Sequence, residues 1–132
     1  MGVAQTYDPR DVVVSVNSTI ITGFAESSFV KCSKNTDNFV HHVGGQGEVS
    51  YAETADQTGT ITIKIMNTSP SYIFLNQLAQ QKTTYPVSVA DRNTGQTYGG
   101  SEARIKKTAD AEFSKDVTEV EYQIIVSDYS VD

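Results

Sequence analysis

Between Thr58 and Met66 the chain reads TGTITIKIM. Ile61, Ile63 and Ile65 alternate with Thr60, Thr62 and Lys64. A period of two places the isoleucines on one face of a strand and the polar residues on the other. Such a strand is half-buried and belongs in an antiparallel sheet. A slip of one residue would turn all three isoleucines outward, so its register must be firmly set. The segment Thr118 to Ser127 repeats the pattern, with Val120, Tyr122, Ile124 and Val126 alternating with Glu119, Glu121, Gln123 and Ser127. Ile125 shares the face of the glutamates, so that face is not purely solvated.

Other strand signals surround these two. Val12, Val14 and Val16 share one face, Asn17-Ser18 has turn chemistry, and Thr19 to Thr22 returns. Ser28 to Ser33, Asn38 to Val43 and Glu48 to Glu53 are separated by a polar turn and a glycine turn, which predicts two hairpins over residues 28–53. Pro86 to Arg92 is strand-like, Asn93-Thr94-Gly95 is a turn, and Gln96 begins a return that Gly99-Gly100 is expected to break. Ala103 to Lys107 then reads as a separate strand, and Thr108 to Lys115 as a polar loop. One helix is predicted over about residues 70–82, with Ser69 as cap, Pro70 at the first helical position, and the pairs Phe74/Leu78 and Leu75/Ala79 as its apolar stripe. The expected fold is mainly β: two antiparallel sheets forming a barrel or sandwich with one flanking helix. Residues 1–132 read as a single domain with an extended N-terminal arm, residues 1–10.

The 132 residues suffice for a real core, and no apolar run approaches the roughly 20 residues of a membrane helix, so no membrane partner is expected. The N-terminal stretch has no basic region followed by an apolar one, so no secretory signal is expected. The single cysteine, Cys32, cannot form an internal disulfide and reads as a half-buried strand residue. Sixteen acidic residues against ten basic ones give a net charge of −6. That balance disfavours direct nucleic-acid binding, which calls for a basic stripe.

The stretch FVHHVGGQGEVS, residues 39–50, contains the types that mark chemistry elsewhere. His41 and His42 are the chain's only histidines. Adjacent strand residues point to opposite faces, and a zinc site needs three or four ligands. A glycine-rich phosphate loop opens a helix, whereas Gly44-Gly45-Gln46-Gly47 precedes the strand-like Glu48-Val49-Ser50-Tyr51. A hairpin turn is the better reading. No GxSxG or HExxH spacing occurs. No catalytic residue, metal or cofactor is assigned.

Three segments taken in order carry a family resemblance: YDPRDVVVSVNSTIITGFAESSFV, DNFVHHVGGQGEVS and TGTITIKIMNTSPS. They run in order from Tyr7 to Ser71, and the chain resembles the small tail tube proteins of contractile-tailed phages and related particles. Tyr72 stands where the family pattern leads one to expect asparagine. The resemblance implies a two-sheet barrel with a flanking helix, and hexameric rings stacked into a hollow tube inside a contractile sheath. It implies DNA passage through the lumen during ejection and a structural, non-enzymatic role. It also implies itself, the sheath, baseplate and tail-terminator proteins as partners, with the tape-measure protein and DNA in the lumen without specific binding. The place is the virion tail, assembled in the bacterial cytoplasm.

Within that expectation Lys31, Ser33, His42, Glu48, Ser50 and Ala52 are lumen-facing candidates by alternation. Tyr7, Asp8, Arg10, Lys34, Asp37, Gly44, Gly45 and Gly47 are candidates for contacts between subunits or rings. Gln77, Gln81 and Lys82 on the helix are sheath-facing candidates. The tube of a bacteriocin or type VI secretion-like injection particle is an alternative, and a β-sandwich binding module of a virion fibre is a second. An enzyme ranks last.

Overall fold

The computed structural model describes residues 12–22, 24, 30–109 and 118–132. Ten strands and one helix follow in the order β1 (Val12–Val16), β2 (Thr19–Ile20), β3 (Val30–Lys34), β4 (Phe39–Val43), β5 (Val49–Glu53), β6 (Gly59–Met66), α1 (Ser71–Gln80), β7 (Tyr85–Asp91), β8 (Gln96–Ile105), β9 (Glu119–Val126) and β10 (Ser130–Val131). Eight strands form one antiparallel sheet in the order β2-β1-β7-β8-β9-β6-β3, with β10 also paired to β8. The other two, β4 and β5, form a two-stranded sheet of their own. The fold is therefore mainly β, with one helix and two antiparallel sheets, as the alternating sequence predicts.

The alternation decides which face of the large sheet is covered. Ile61, Ile63 and Ile65 on β6 are fully buried, as are Ile124, opposite Ile61, and Val126, opposite Gly59, on β9. Val14, Val16, Val87, Val89, Ala103 and Ile105 extend the same core through β1, β7 and β8. Leu75 and Leu78 of α1 close over it, while Phe74 and Ala79 lie half-buried at its margin. The Tyr122 hydroxyl donates to Asn76 Oδ1 at 2.7 Å and to the Tyr72 carbonyl at 3.2 Å, fastening β9 to the helix. Burial, with Tyr72 alongside, pushes this phenol up to about 12.

The helix is shorter than the predicted 70–82. Pro70 is the N-cap rather than the first helical residue, and Gln81 is already extended with ψ 146°. The chain must straighten there because β7 begins at Tyr85. Ser69 acts one residue earlier than a cap. Its buried hydroxyl donates to the Thr22 carbonyl at 2.6 Å and accepts from the Ser71 amide at 3.1 Å. The Ser71 hydroxyl in turn accepts from the Thr22 amide at 3.1 Å. The Thr-Ser-Pro-Ser segment is thus a clasp between the helix start and the chain after β2.

Gly99-Gly100 does not break β8, which runs unbroken through both. The register with β7 shifts between Tyr85 and Val87, so Pro86 faces both Ser101 and Glu102. This is a β-bulge, and it explains how a proline without an amide sits inside a paired strand. The freed amides are taken by Asp128, whose carboxylate accepts from Ser101 N and Glu102 N at 3.1 Å and from Ser101 Oγ at 2.7 Å. These bonds hold its carboxyl down at about 2. A carboxyl depressed in the folded state stabilises above its ordinary value near 4 and loses that contribution as pH falls toward 2. Asp128→Ala is expected to lower the melting temperature at pH 7, with the gap to the wild type closing below about pH 3. Thermal melts across that range check it.

The largest departure from the predicted topology concerns residues 28–53. β3 does not form a hairpin with β4; it pairs with β6, Val30 opposite Ile63 and Lys34 opposite Gly59. The half-buried Val30 and Cys32 need a strand with a buried apolar face, and β6 supplies it. The second predicted hairpin is present as β4–β5. Asn35 N donates to the Thr58 carbonyl and Thr54 N to the Asn38 carbonyl, so the two ladders are successive parts of one long ribbon.

Candidate functional site

The outer part of that ribbon is the most unusual surface of the described chain. Every residue from 35 to 53 is exposed. None of them belongs to the core. Yet the ladder pairs Phe39 with Glu53, Val40 with Ala52, His41 with Tyr51, His42 with Ser50 and Val43 with Val49. Phe39 is 45% exposed, Val43 64% and Tyr51 66%. Paired residues share a face, so one face carries Phe39, His41, Val43, Val49, Tyr51 and Glu53. The Phe39 and Tyr51 rings meet edge to face, 5.2 Å apart. The other face carries Val40, His42, Ser50 and Ala52.

The tip is a three-residue loop. Gly47 N donates to the Gly44 carbonyl at 3.1 Å and Gly44 N to the Glu48 carbonyl at 2.7 Å. Gly47 has φ +88°, the left-handed position that this loop type reserves for glycine. The Gly44–Gly47 run is therefore a turn. The register sends His41 and His42 to opposite faces, as expected from their adjacency.

The base of the hairpin is polar. Asn35 Nδ2 donates to Thr58 Oγ1, Thr60 Oγ1 donates to Asn35 Oδ1, and Thr36 Oγ1 donates to the Asp56 carbonyl. Lys34 Nζ donates to Asn38 Oδ1. Thr36 and Asp37 on one side face Ala55, Asp56 and Gln57 on the other, one residue more. A single extra residue makes one strand exchange its two faces at the bend.

The lumen-facing candidates consequently fall into two groups. His42 and Ser50 are direct cross-strand partners on the hairpin, and Ala52 shares their face. Glu48 stands at the loop, its carboxylate over Gly44. Lys31 and Ser33 lie instead on the outward face of β3, opposite Thr62 and Thr60 of β6. Among the inter-subunit candidates, Lys34 and Asp37 sit at the bend and Gly44, Gly45 and Gly47 at the tip. Tyr7, Asp8 and Arg10 lie outside the described residues. Gln77 is exposed on α1, and Gln81 and Lys82 follow it, with the Gln81 carbonyl accepting from Arg104 Nη2 at 3.1 Å. Ile73, 66% exposed, lies on the same helix flank as Gln77 and was not among the sequence-based candidates.

Cys32 is half-buried, and burial pushes its thiol up to about 11, so it stays protonated near neutrality and is a poor nucleophile. A shallow depression of about 340 Å³ over β7 and β8 is lined by Ser15, Ser88, Gly99, Gly100, Ser101 and Ser130 among others. Its walls offer hydroxyls, backbone and the Asp132 side chain, with no histidine or cysteine.

Residues 10–131 match the family model described as "Bacteriophage PhiTE tail tube protein". The chain belongs to this tail tube family. No curated protein sequence matches it. Among solved structures it is similar to a chain of the sheath/tube terminator of an extracellular contractile injection system, PVC, in its extended state. That match has 15% identity and TM-score 0.67 and covers 99% of each chain. It is similar also to a chain of the PVC sheath–tube complex in the extended state (15% identity, TM-score 0.60, 96% of this chain and 91% of that one). A third likeness is to a chain of the virion of a native gene transfer agent particle (12% identity, TM-score 0.67, 96% and 99%). At these identities the likeness speaks for the fold; the family match makes the tail tube protein a structural component of a phage tail.

Proposed function

We propose that this tail tube protein is the repeating subunit of the tube itself. Six copies close into a ring, rings stack, and DNA leaves through the channel while a sheath surrounds the outside. The observation that carries this reading is the hairpin of residues 39–53, a ribbon with exposed apolar side chains and no layer against it among the described residues. A lone two-stranded hairpin is marginal in water, and it gains stability by covering its faces on another surface. The family match makes further copies of the same chain the natural surface. β2 and β3 end the large sheet with open edges among the described residues, and pairing such edges between subunits would remove them.

The whole chain acts as one domain in this reading, with residues 1–10 as an arm that orders on stacking. Lys31, Ser33, His42, Glu48 and Ser50 face the lumen or its rim. The bend and the glycine tip meet the neighbouring subunit or ring, and α1 faces the sheath through Gln77, Gln81 and Lys82. The net charge of −6 per copy repels the DNA backbone and keeps it from adhering to the wall. Baseplate and terminator proteins close the two ends, and assembly takes place in the bacterial cytoplasm. No step of this role requires catalysis.

A second reading has its own support. Structural neighbours include a PVC sheath/tube terminator and the tube-terminating cap of the anti-feeding prophage. A terminator or a tube of an injection particle shares the same subunit fold. Electron microscopy of the purified chain separates tube from terminator: the tube subunit gives long stacked tubes, whereas a terminator gives rings that do not stack.

A further inference from the structure

We propose that His41 makes assembly through the hairpin sensitive to pH, being covered as neutral imidazole when a second copy of this chain packs on the hairpin's apolar face. This rests on the reading of the hairpin as an assembly surface. His41 is exposed in the subunit, at the middle of that face. Phe39 and Val43 flank it along β4, Tyr51 is directly opposite, and Val49 and Glu53 are the diagonal neighbours. Any surface that covers the Phe39–Tyr51 ring pair covers the imidazole with it.

Desolvation disfavours the charged form of histidine. The titratable groups that β5 turns to this face are Tyr51 and Glu53. Glu53 is exposed and is the carboxylate that the hairpin strands place on this face. The folded, assembled state then binds fewer protons than the free one, so assembly strengthens as pH rises through the ordinary histidine range near 6.5 and weakens below it. His42 is the internal comparison. It faces the other way, beside Ser50, on the face assigned above to the lumen.

Sedimentation and negative-stain microscopy of the full chain at pH 7.5 and 5.5 test this, with His41→Gln and His42→Gln alongside. The wild type is expected to assemble about tenfold more weakly at pH 5.5 for each imidazole covered. His41→Gln removes the difference and His42→Gln retains it, with the circular dichroism of the subunit unchanged between the two values. Equal wild-type assembly at both values, stronger assembly at pH 5.5, or loss of the difference in His42→Gln rather than His41→Gln overturns the inference alone. No assembly at either pH overturns the assembly reading and this inference with it.

Discussion

Replacing Phe39 and Tyr51 together by serine is expected to leave the subunit folded and to prevent it from forming rings. Both side chains are largely exposed in the subunit and neither touches the core, so the fold loses little beyond their mutual edge-to-face contact. Surface substitutions of this kind usually change stability by no more than about 0.5 kcal/mol. In an assembly that covers them, each ring contributes about 2 kcal/mol of burial. Losing both weakens every subunit contact by roughly a thousandfold, since each 1.4 kcal/mol is a factor of ten. Sedimentation should show a monomer whose melting curve overlays that of the parent. Intact rings in the double variant would show that this face is not an assembly surface.

The second large effect is expected inside the subunit. Gly99 has φ +145°, and a Cβ placed there would lie 2.1 Å from the Val87 carbonyl oxygen. That backbone region is essentially reserved for glycine, and holding another residue there costs on the order of 1–3 kcal/mol before the clash is counted. The obstacle is backbone of the neighbouring strand, which cannot swing aside as a side chain would. Gly99→Ala must therefore push β7 from β8 beside the bulge at Ser101 and Glu102, where two residues already face Pro86. A loss of at least about 2 kcal/mol follows, readable as a shifted urea midpoint. An unchanged midpoint would mean that the strand relaxes freely at this glycine.

Legibility in the sequence follows the range of each interaction. TGTITIKIM and the Val120 to Val126 stretch reveal their strands because a period of two is a local consequence of having one dry face. The strand partners are not local. β3 pairs with β6 across the whole hairpin, and only the burial of Val30 and Cys32 against Ile61 and Ile63 selects that pairing over the nearer β4. Gly99-Gly100 looks like a break because glycine is a poor strand residue on its own. Its place in β8 depends on Val87 and Asp128, which are remote in sequence. The faces of the lumen candidates were illegible for a similar reason. One extra residue among Ala55, Asp56 and Gln57 interrupts the alternation, so counting from Ser50 and Ala52 on β5 to Thr60 and Thr62 on β6, the partners of Ser33 and Lys31, crosses a point where parity is lost. The apolar residues of the hairpin were visible, but periodicity does not say whether an apolar face is covered by the same chain or by another copy. The family resemblance supplied what no local pattern could, the expectation of six-fold rings stacked into a tube.

A cryo-electron-microscopy reconstruction of the purified chain tests the central claim most directly. Six-fold rings stacked into a tube are expected, with Phe39, Val43, Val49 and Tyr51 buried against a neighbouring copy. Tubes or rings in which residues 39–53 remain solvated, or a protein that stays monomeric at every concentration and pH, would contradict it.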